Sequence, residues 1–204
     1  MQRNKVYINA VASICAAADS TQSLFDAICL HQSGIKLYDH YTMGKEVALG
    51  KMNGTKDMKS ILKDICHAIL FQSGLENFEK TRLIVGSSVG GMQKTEEIFL
   101  RDGHYAHIDP KYHPIEAVAY TLETLFNFEE TLSFSTACTS SANALGYGYE
   151  LMSKGVCENV LVIGFDTLSL TTIRGFDALG VLSSKPCQPF DLSRSEERRV
   201  GKEC

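Results

Sequence analysis

Among the seven cysteines of this 204-residue chain, Cys138 has the surroundings that best suit chemistry. It lies in the segment Ser135-Thr136-Ala137-Cys138-Thr139-Ser140-Ser141-Ala142-Asn143-Ala144-Leu145-Gly146. Residues 131–134 before it form a short apolar alternation that predicts a strand. Residues 143–153 after it contain no proline and predict a helix that ends at Lys154 and Gly155. The pattern therefore places Cys138 where a strand ends and a helix begins.

That position favours a nucleophile. The unpaired N–H groups of a first helical turn and the positive end of the helix dipole stabilise a thiolate. The same groups can hold the oxyanion that forms on a carbonyl under attack, and the Cys138 backbone N–H would be one such donor. Small neighbours leave the sulfur approachable, namely Ala137, Thr139, Ser140, Ser141 and Ala142. The alternative is that Cys138 is a small buried hydrophobic residue, which is the interpretation for the other six cysteines.

The segment 135–146, followed by Gly-Tyr-Glu-Leu-Met-Ser-Lys-Gly at 148–155, resembles the nucleophile segment of one family. That family is the β-ketoacyl-[acyl carrier protein] synthases, the elongating condensing enzymes of fatty acid and polyketide synthesis. Further segments resemble parts of the same family in order along the chain: 160–166 its next strand, 175–183 its acyl-pocket loop, 189–191 the start of its following motif and, more weakly, 32–35 and 84–91. The resemblance covers residues 5–194 and is strongest over 131–191.

The resemblance implies an α/β fold of the thiolase-like type, in which two similar halves each supply a mostly parallel sheet covered by helices. Residues 1–194 would form the first half, the β-ketoacyl synthase N-terminal domain. It implies an acyltransferase that needs no cofactor and catalyses a decarboxylative Claisen condensation. Cys138 would take an acyl chain from an acyl carrier protein thioester, and the carbanion from malonyl carrier protein would then attack it. Phe176 would line or gate the acyl pocket, with a plain core phenylalanine as the alternative, and the full-length protein would be a homodimer. Asp191 and Arg194 would have a structural role.

Beyond Arg194 the family continues with a Gly-rich segment and a second half, whereas residues 195–204 of this chain are six-tenths charged. We therefore expect a truncated chain with a foreign or unstructured tail at 195–204, and apolar surface left uncovered. In the family, two histidines of the second half support decarboxylation and stabilise the enolate. None of the six histidines here lies in a segment resembling those motifs: His31, His40, His67, His104, His107 and His113. The chain is predicted to be inactive in condensation, although Cys138 alone could still accept an acyl group.

Three alternatives stay open beside this interpretation. The first is a non-catalytic partner subunit of the chain-length factor type, which lacks the nucleophile, so that Cys138 argues against it. The second is a thiolase or an initiating synthase that uses acyl-CoA, whereas Thr136–Ser141 favours the elongating branch. The third is a fragment with no activity at all.

Composition excludes several other classes of protein. The chain is 44% hydrophobic and 22% charged, which is typical of a soluble globular protein, and its net charge of −4 without a basic stripe argues against nucleic acid as a partner. The cysteines form no C-x-x-C pair and show no zinc spacing, which favours a reducing cytoplasm. Asn9 and Ser13 interrupt the apolar N-terminal run that a signal peptide needs, and Ile14 does not fit a lipoprotein cleavage site. No run approaches the roughly 20 apolar residues of a membrane helix.

Periodicity along the rest of the chain predicts a layered α/β arrangement. We expect strands at about 6–10, 82–87, 131–136 and 159–165, separated by helical stretches. A helix capped by Ser20 or Thr21 should carry Leu24, Phe25, Ile28 and Cys29 towards a core and end near Gly34. Amphipathic helices are predicted over 56–71 and 115–126, and irregular structure over 38–55.

Two further patterns invite a binding interpretation. Gly86, Gly90 and Gly91 match neither the dinucleotide fingerprint nor the Lys-bearing phosphate loop, and therefore predict a tight strand-to-helix turn. The loop over 101–114 holds His104, His107, Asp109 and His113, which could bind a metal. Surface histidines in a polar loop are the more ordinary interpretation, so no metal site is predicted.

Overall fold

The computed structural model describes residues 3–40, 44–52, 54, 56–183 and 185–186. These residues divide into two compact units. The first unit comprises the described residues before Ala12 together with Lys56–Ser169. The second comprises the described residues of Ala12–Thr55 and those from Leu170 onwards.

The helices and strands of the described residues alternate along the chain. In order they are α1 (Thr21–Cys29), β1 (Lys36–His40), β2 (Lys45–Leu49), α2 (Met58–Ser73), β3 (Thr81–Gly86), α3 (Met92–Asp102), a 3-10 turn (Pro110–Tyr112), α4 (Ala117–Glu123), β4 (Glu130–Phe134), α5 (Ser140–Ser153), β5 (Asn159–Gly164) and α6 (Leu170–Ala178). In the part of the chain that the structure describes, no helix is both long and apolar enough to cross a membrane.

The first unit is built on a parallel sheet of three strands in the order β4-β3-β5. These three strands confirm the predictions at 82–87, 131–136 and 159–165 to within two residues at their ends. The central strand β3 reads Thr-Arg-Leu-Ile-Val-Gly, and its Leu83, Ile84 and Val85 are all fully buried. A continuous apolar run of this kind marks a parallel strand that is covered on both faces, because its side chains point alternately to the two faces.

Helices cover both faces of this sheet. Leu83 and Val85 pack in one apolar cluster with side chains from α2, from the segment before β3, from α4 and from β5: Leu62, Cys66, Phe78, Val118, Ala119, Leu122, Leu161 and Ile163. Ile84 faces the other way and packs with Ala144 and Leu151 of α5. Each large apolar side chain buried in this way contributes about 1.5–3 kcal/mol to folding. The predicted α/β arrangement of a mostly parallel sheet covered by helices is confirmed.

The helix α2 shows why the amphipathic prediction over 56–71 is right. Asp57 caps its start by accepting a hydrogen bond from the Ser60 N–H at 2.8 Å, and Gly74 ends it in the left-handed conformation at φ 72°. The helix predicted over 115–126 is also present, but as the shorter α4, since the C-cap is Thr124. Val118 and Leu122 of α4 are fully buried, which is the packing of an amphipathic helix.

The strand predicted at 6–10 is wrong. This segment belongs to the first unit, where the Asn4 N–H donates to the Ser153 carbonyl at 2.8 Å and Arg3 pairs with Glu150 at 3.2 Å. Tyr7 and Ile8 are 69% and 78% exposed. Alternation of apolar residues makes a strand only where a neighbouring strand supplies the ladder, and no described strand pairs with this segment.

The second unit departs further from prediction. Helix α1 has the expected Ser20 cap, in which Ser20 and Ser23 bond each other's backbone N–H, but it ends at Cys29 rather than near Gly34. The predicted core face is also wrong, because Phe25 and Ile28 are more than 60% exposed. Helical spacing identifies an apolar face, whereas burial requires an opposing surface: Ala27 is buried and the predicted Leu24 half-buried, while the described residues leave Phe25 and Ile28 exposed.

Residues 38–55, predicted as irregular, contain most of an antiparallel pair of strands: β1, which begins at Lys36, pairs with β2 so that Lys36 is opposite Leu49. Val47 and Leu49 lie on one side of it and are buried against Ile173 of α6. Lys45 also pairs with Asp177 of α6 at 2.5 Å. Only two of the five residues of β2, Val47 and Leu49, are buried, and so short an alternation does not identify a strand from sequence.

Candidate active site

Cys138 lies in the connection between β4 and α5, as the sequence predicts. Strand β4 ends at Phe134, helix α5 begins at Ser140, and Thr139 is the N-cap residue of that helix. The thiol is solvent-exposed. Cys138 therefore stands one residue before the amino end of a helix and open to a reactant.

The turn that carries the thiol is held by a backbone conformation rare for its residue type. Ala137 has φ +52°, in the left-handed region that a residue with a Cβ adopts at a cost of about 1–2 kcal/mol. Its carbonyl accepts hydrogen bonds from the Ser140 N–H at 3.0 Å, the Ser140 Oγ at 2.7 Å and the Ser88 Oγ at 2.8 Å. These three bonds offset the strain, and they fix the turn immediately before Cys138.

Further hydrogen bonds tie the turn to the first turn of α5. The Thr136 N–H donates to the Ser140 Oγ at 2.9 Å, and the Asn143 side-chain amide donates to the Thr136 Oγ1 at 2.8 Å. The Thr139 hydroxyl donates to the Thr136 carbonyl at 2.7 Å instead of capping the helix. Among the described residues, no side chain at the N-cap accepts from the first-turn N–H groups of α5. The positive end of the helix is left available to an anion beside Cys138.

Glycines at two strand ends allow the amino end of α5 to lie directly on the sheet. Gly86 of β3 and Gly164 of β5 are opposite each other in the sheet register. A Cβ on Gly86 would lie 2.5 Å from the Ser140 carbonyl oxygen, and one on Gly164 would lie 2.4 Å from the Ser141 Oγ. A side chain at either position would push α5 away from the sheet. The two glycines therefore determine how closely α5, and with it Cys138, approaches the sheet edge.

The predicted strand-to-helix turn at Gly86, Gly90 and Gly91 is confirmed, since α3 begins at Met92 with Gly91 as its N-cap. Gly90 adopts φ +55°, and a Cβ on Gly91 would meet the Tyr112 carbonyl oxygen. Glycine is therefore required here by backbone packing, which explains the Gly-rich pattern without a phosphate ligand.

A hydrogen-bonded group of Asp166, Ser87 and Ser88 lies at the same sheet edge, and the sequence analysis missed it. Asp166 follows β5, and its Oδ1 accepts from the Ser87 Oγ and from the Ser88 and Val89 N–H groups at 2.8–2.9 Å. Ser88 in turn contacts Ala137. The available signal was the position of these polar residues directly after two buried strands, because the carboxyl ends of parallel strands meet at one edge of a sheet.

Phe176 lies on α6 in the second unit and is 45% exposed. It is therefore not part of the buried core of that unit, to which α6 contributes Ile173. The description of 175–183 as a loop needs correction, because Gly175–Ala178 completes α6 and a turn at Gly180, with φ +69°, follows. Cys138 belongs to the first unit and Phe176 to the second.

The other cysteines divide into two environments. Cys66 is fully buried in α2, and burial raises the pKa of its thiol to about 12. Burial also raises the pKa of Cys157, which is half-buried. Cys15 and Cys29 are exposed, so the prediction that they are buried hydrophobic residues is wrong. Their segments do not pack as their apolar patterns suggested.

Polar side chains of residues 101–114 bond to one another and to Thr95 of α3. Asp102 accepts two hydrogen bonds from Arg101 and contacts the His107 Nδ1 at 2.8 Å, and these partners, Arg101 first, hold the pKa of Asp102 well below its usual range. His113 contacts the Thr95 Oγ1 through its Nδ1 at 2.8 Å. The described part of the chain contains no group of three or more His, Cys, Asp and Glu placed to hold a metal ion.

Several predicted features lie outside the described residues. They are the motif at 189–191 with Asp191, Arg194, the tail at 195–204, and the thiols of Cys187 and Cys204. The prediction that 1–194 is one family domain followed by an unrelated tail stays a prediction.

Comparison with known proteins agrees with this geometry. Residues 66–195 match the family model of the β-ketoacyl synthase N-terminal domain. A ketosynthase (ApeO) in complex with its chain length factor (ApeC) from Xenorhabdus doucetiae aligns with a TM-score of 0.75 and 26% identity over 93% of this chain and 53% of that chain. A β-ketoacyl synthase from Burkholderia phymatum STM815 aligns with a TM-score of 0.77 at 17% identity over 99% of this chain and 61% of that one.

Two further solved structures give the same fold. The ishigamide ketosynthase/chain length factor aligns with a TM-score of 0.74 at 14% identity, over 99% of this chain and 60% of that one. A ketosynthase complex with its type II polyketide synthase acyl-carrier protein, AntDE:AntF, aligns with a TM-score of 0.60 at 19% identity, over 86% of this chain and 54% of that one. The chain thus spans between 53% and 61% of the solved chains named here. The match to the family model covers more than half of the sequence, and the chain belongs to the β-ketoacyl synthase family, with the thiolase-like fold of its N-terminal domain.

Proposed function

We propose that Cys138 is the acyl-accepting nucleophile of a β-ketoacyl synthase. The observation that carries the proposal is the exposed thiol one residue before the amino end of α5, whose first turn has no side-chain cap among the described residues. A reactive cysteine needs access and a positive environment, and this position provides both. The family match spans the entire turn.

In the first step the Cys138 thiolate attacks the carbonyl carbon of an acyl thioester. The new C–S bond forms as the carbonyl becomes an oxyanion, which the Cys138 N–H would help to stabilise. Collapse of this intermediate breaks the original thioester bond and releases the carrier thiolate. The product is an acyl group held on Cys138.

In the second step a malonyl carrier thioester loses CO₂, and the resulting carbanion attacks the acyl carbonyl on Cys138. The new C–C bond forms as the C–S bond to Cys138 breaks, which regenerates the thiolate. This step needs acid–base groups to stabilise the enolate. Three described histidines have side-chain hydrogen bonds to other groups: His104 accepts from the Ala106 N–H, His107 contacts Asp102 and His113 contacts Thr95. We therefore propose that these 204 residues accept an acyl group and do not condense it.

The proposed acyl donor is an acyl carrier protein, with fatty acid or polyketide synthesis as the pathway and the cytoplasm as the site. Support comes from the similar complex in which a type II polyketide ketosynthase binds its acyl-carrier protein. A full-length homodimer and an acyl-pocket role for Phe176 are parts of the same proposal. The 45% exposure of Phe176 leaves its ring free to contact a chain that enters from solvent.

The experiment is an acyl-transfer assay on the 204-residue chain. It would be incubated with acyl carrier protein bearing a mass-labelled acyl thioester, and the modified peptide identified by mass spectrometry. We expect label on Cys138 and none in Cys138→Ala. Cys15→Ala and Cys29→Ala are matched controls, since both residues are exposed thiols outside the proposed site. Equal labelling of Cys15, Cys29 and Cys138 would contradict a selective nucleophile.

A non-catalytic partner subunit is the second candidate. Two of the similar structures are ketosynthases together with a chain length factor, so the fold is compatible with either role. The presence of Cys138 in an accessible turn favours the catalytic subunit. Absence of acyl label on Cys138 in a folded chain would favour the partner subunit instead.

A further inference from the structure

We infer that Asp166 and Ser88 are positioning residues that hold the Cys138 turn in its reactive geometry. The inference rests on the proposed role of Cys138 as the nucleophile. It follows from a chain of hydrogen bonds that runs from the end of β5, through the loop after β3, to the residue immediately before Cys138.

The first part of this chain fixes the loop after β3. One carboxylate oxygen, Asp166 Oδ1, accepts from the Ser87 Oγ at 2.9 Å and from the Ser88 and Val89 N–H groups at 2.8 Å each. The Ser87 Oγ also accepts from the Gly90 N–H at 2.9 Å. Hydrogen bonds to an ionised acceptor are about twice as strong as neutral ones. Asp166 therefore determines the backbone path of residues 87–90.

The second part connects that loop to the nucleophile. The Ser88 Oγ donates to the Ala137 carbonyl at 2.8 Å, across 49 residues of sequence. The other two donors to this carbonyl come from Ser140, three residues away, and are local to the turn. Ser88 is thus the residue that ties the turn to the sheet. Strained backbone such as Ala137 at φ +52° persists only where surrounding groups hold it.

The sheet edge supports both ends of the chain of bonds. The Ser87 N–H donates to the Phe134 carbonyl and the Phe165 N–H to the Gly86 carbonyl, each at 3.1 Å. The ends of β3, β4 and β5 are therefore locked to one another around the turn. Without the Ser88 hydroxyl the Ala137 carbonyl keeps only its two local bonds to Ser140 and loses the one that joins it to the loop after β3. Relaxation of Ala137 towards negative φ would then move the next residue, Cys138, relative to the amino end of α5.

The test compares the wild-type 204-residue chain with Ser88→Ala, Ser88→Thr and Asp166→Ala. Two rates would be measured at Cys138 by peptide mass spectrometry: alkylation by iodoacetamide, and acyl transfer from an acyl carrier protein thioester. We expect Ser88→Ala and Asp166→Ala to lower both rates by about tenfold or more, since misplacement of a reacting group by about 1 Å has effects of that size. Ser88→Thr, which keeps the hydroxyl, should restore the wild-type rates.

Three controls separate positioning from general stability. Alkylation of Cys15 and Cys29, both exposed, should keep its wild-type rate in every variant. Ser73→Ala removes a hydroxyl that donates to the Leu70 carbonyl at 3.3 Å, away from the turn, and should leave the Cys138 rates unchanged. Thermal unfolding would establish that each variant is folded. If Asp166→Ala does not fold, the Cys138 rates of Ser88→Ala alone test the inference.

An unchanged or higher Cys138 alkylation rate in folded Ser88→Ala would overturn the inference, as would an equal loss at Cys15 and Cys29. A different outcome would contradict the proposed function alone. If wild-type Cys138 accepts no acyl group while Ser88→Ala still selectively slows its alkylation, positioning stands and the acyl-transfer role is wrong.

Discussion

Two helices pack on opposite faces of the same parallel sheet, and they present their cysteines in opposite ways. Helix α2 is capped by Asp57 and lies on the sheet with large side chains, so that Cys66 in its middle is fully buried. Helix α5 lies on the other face with Ala144 and Gly148, and its exposed thiol precedes the helix at Cys138. The same side chain is thus part of a core in one helix and a candidate nucleophile beside the other. Its place relative to the helix end decides which.

The largest expected effect is on labelling of Cys138. Cys138→Ala should remove acyl and iodoacetamide label from the 135–146 peptide completely, because no other sulfur lies in that segment. Cys66→Ala should leave this labelling unchanged, since Cys66 contributes packing within the α2 cluster. Mass spectrometry of the two variants checks both statements. Loss of Cys138 label in Cys66→Ala would break the comparison.

The next effect concerns the close approach of α5 to the sheet. Gly86→Ala puts a Cβ 2.5 Å from the backbone of Ser140, so we expect the free energy of unfolding to fall by about 2–3 kcal/mol and Cys138 labelling to slow. Gly164→Ala meets the Ser141 Oγ at 2.4 Å and the Ser141 Cβ at 2.8 Å but no backbone atom closer than 3.9 Å, so it should also be destabilising, by a smaller amount. Denaturant unfolding measures both. Equal stability of Gly86→Ala and wild type would show that α5 is not constrained at this point.

The buried thiol of α2 predicts a dependence on alkaline pH. Burial raises the pKa of Cys66 from 9.0 to about 12 in the folded chain, so above pH 9 the unfolded state loses a proton that the folded state keeps. The stabilisation is complete below pH 9 and is lost as pH rises towards 12. Relative to Cys66→Ala, wild type should lose about 1 kcal/mol of its unfolding free energy between pH 8 and pH 10. A stability difference that does not change with pH would contradict this.

The smallest expected effect is the difference in stability between alanine substitutions at Gly146 and Gly148, which lie on different faces of α5. Gly146 has open space where a Cβ would lie, so Gly146→Ala should raise the free energy of unfolding by about 0.5–1 kcal/mol through helix propensity. At Gly148 a Cβ would lie 3.1 Å from both Val160 and Val162, and Gly148→Ala should be destabilising. Thermal unfolding of the pair checks the signs. Stabilisation by both substitutions would show that α5 packs less tightly than the distances indicate.

Prediction from sequence succeeded for segments whose apolar pattern is matched by a packing partner in the fold. The strands β3, β4 and β5 have continuous or alternating apolar residues, and each predicted strand was found close to its expected range. It failed where the partner lay elsewhere. Residues 6–10 alternate without a described neighbouring strand, and α1 has an apolar face that stays exposed. An apolar pattern in the sequence shows which face of a segment can be buried, whereas burial itself depends on the surface that packs against that face.

The sequence by itself determined the junction that carries Cys138: an apolar strand, a run of small residues and a proline-free helix place the thiol at a helix start. It also determined the Ser20 cap of α1, because that cap joins residues only three positions apart. Only the tertiary structure decided that Asp166, Ser87 and Ser88 meet the turn at Ala137, because those contacts join residues 49 to 79 positions apart. Their geometry depends on the order and register of the strands, which no local pattern contains.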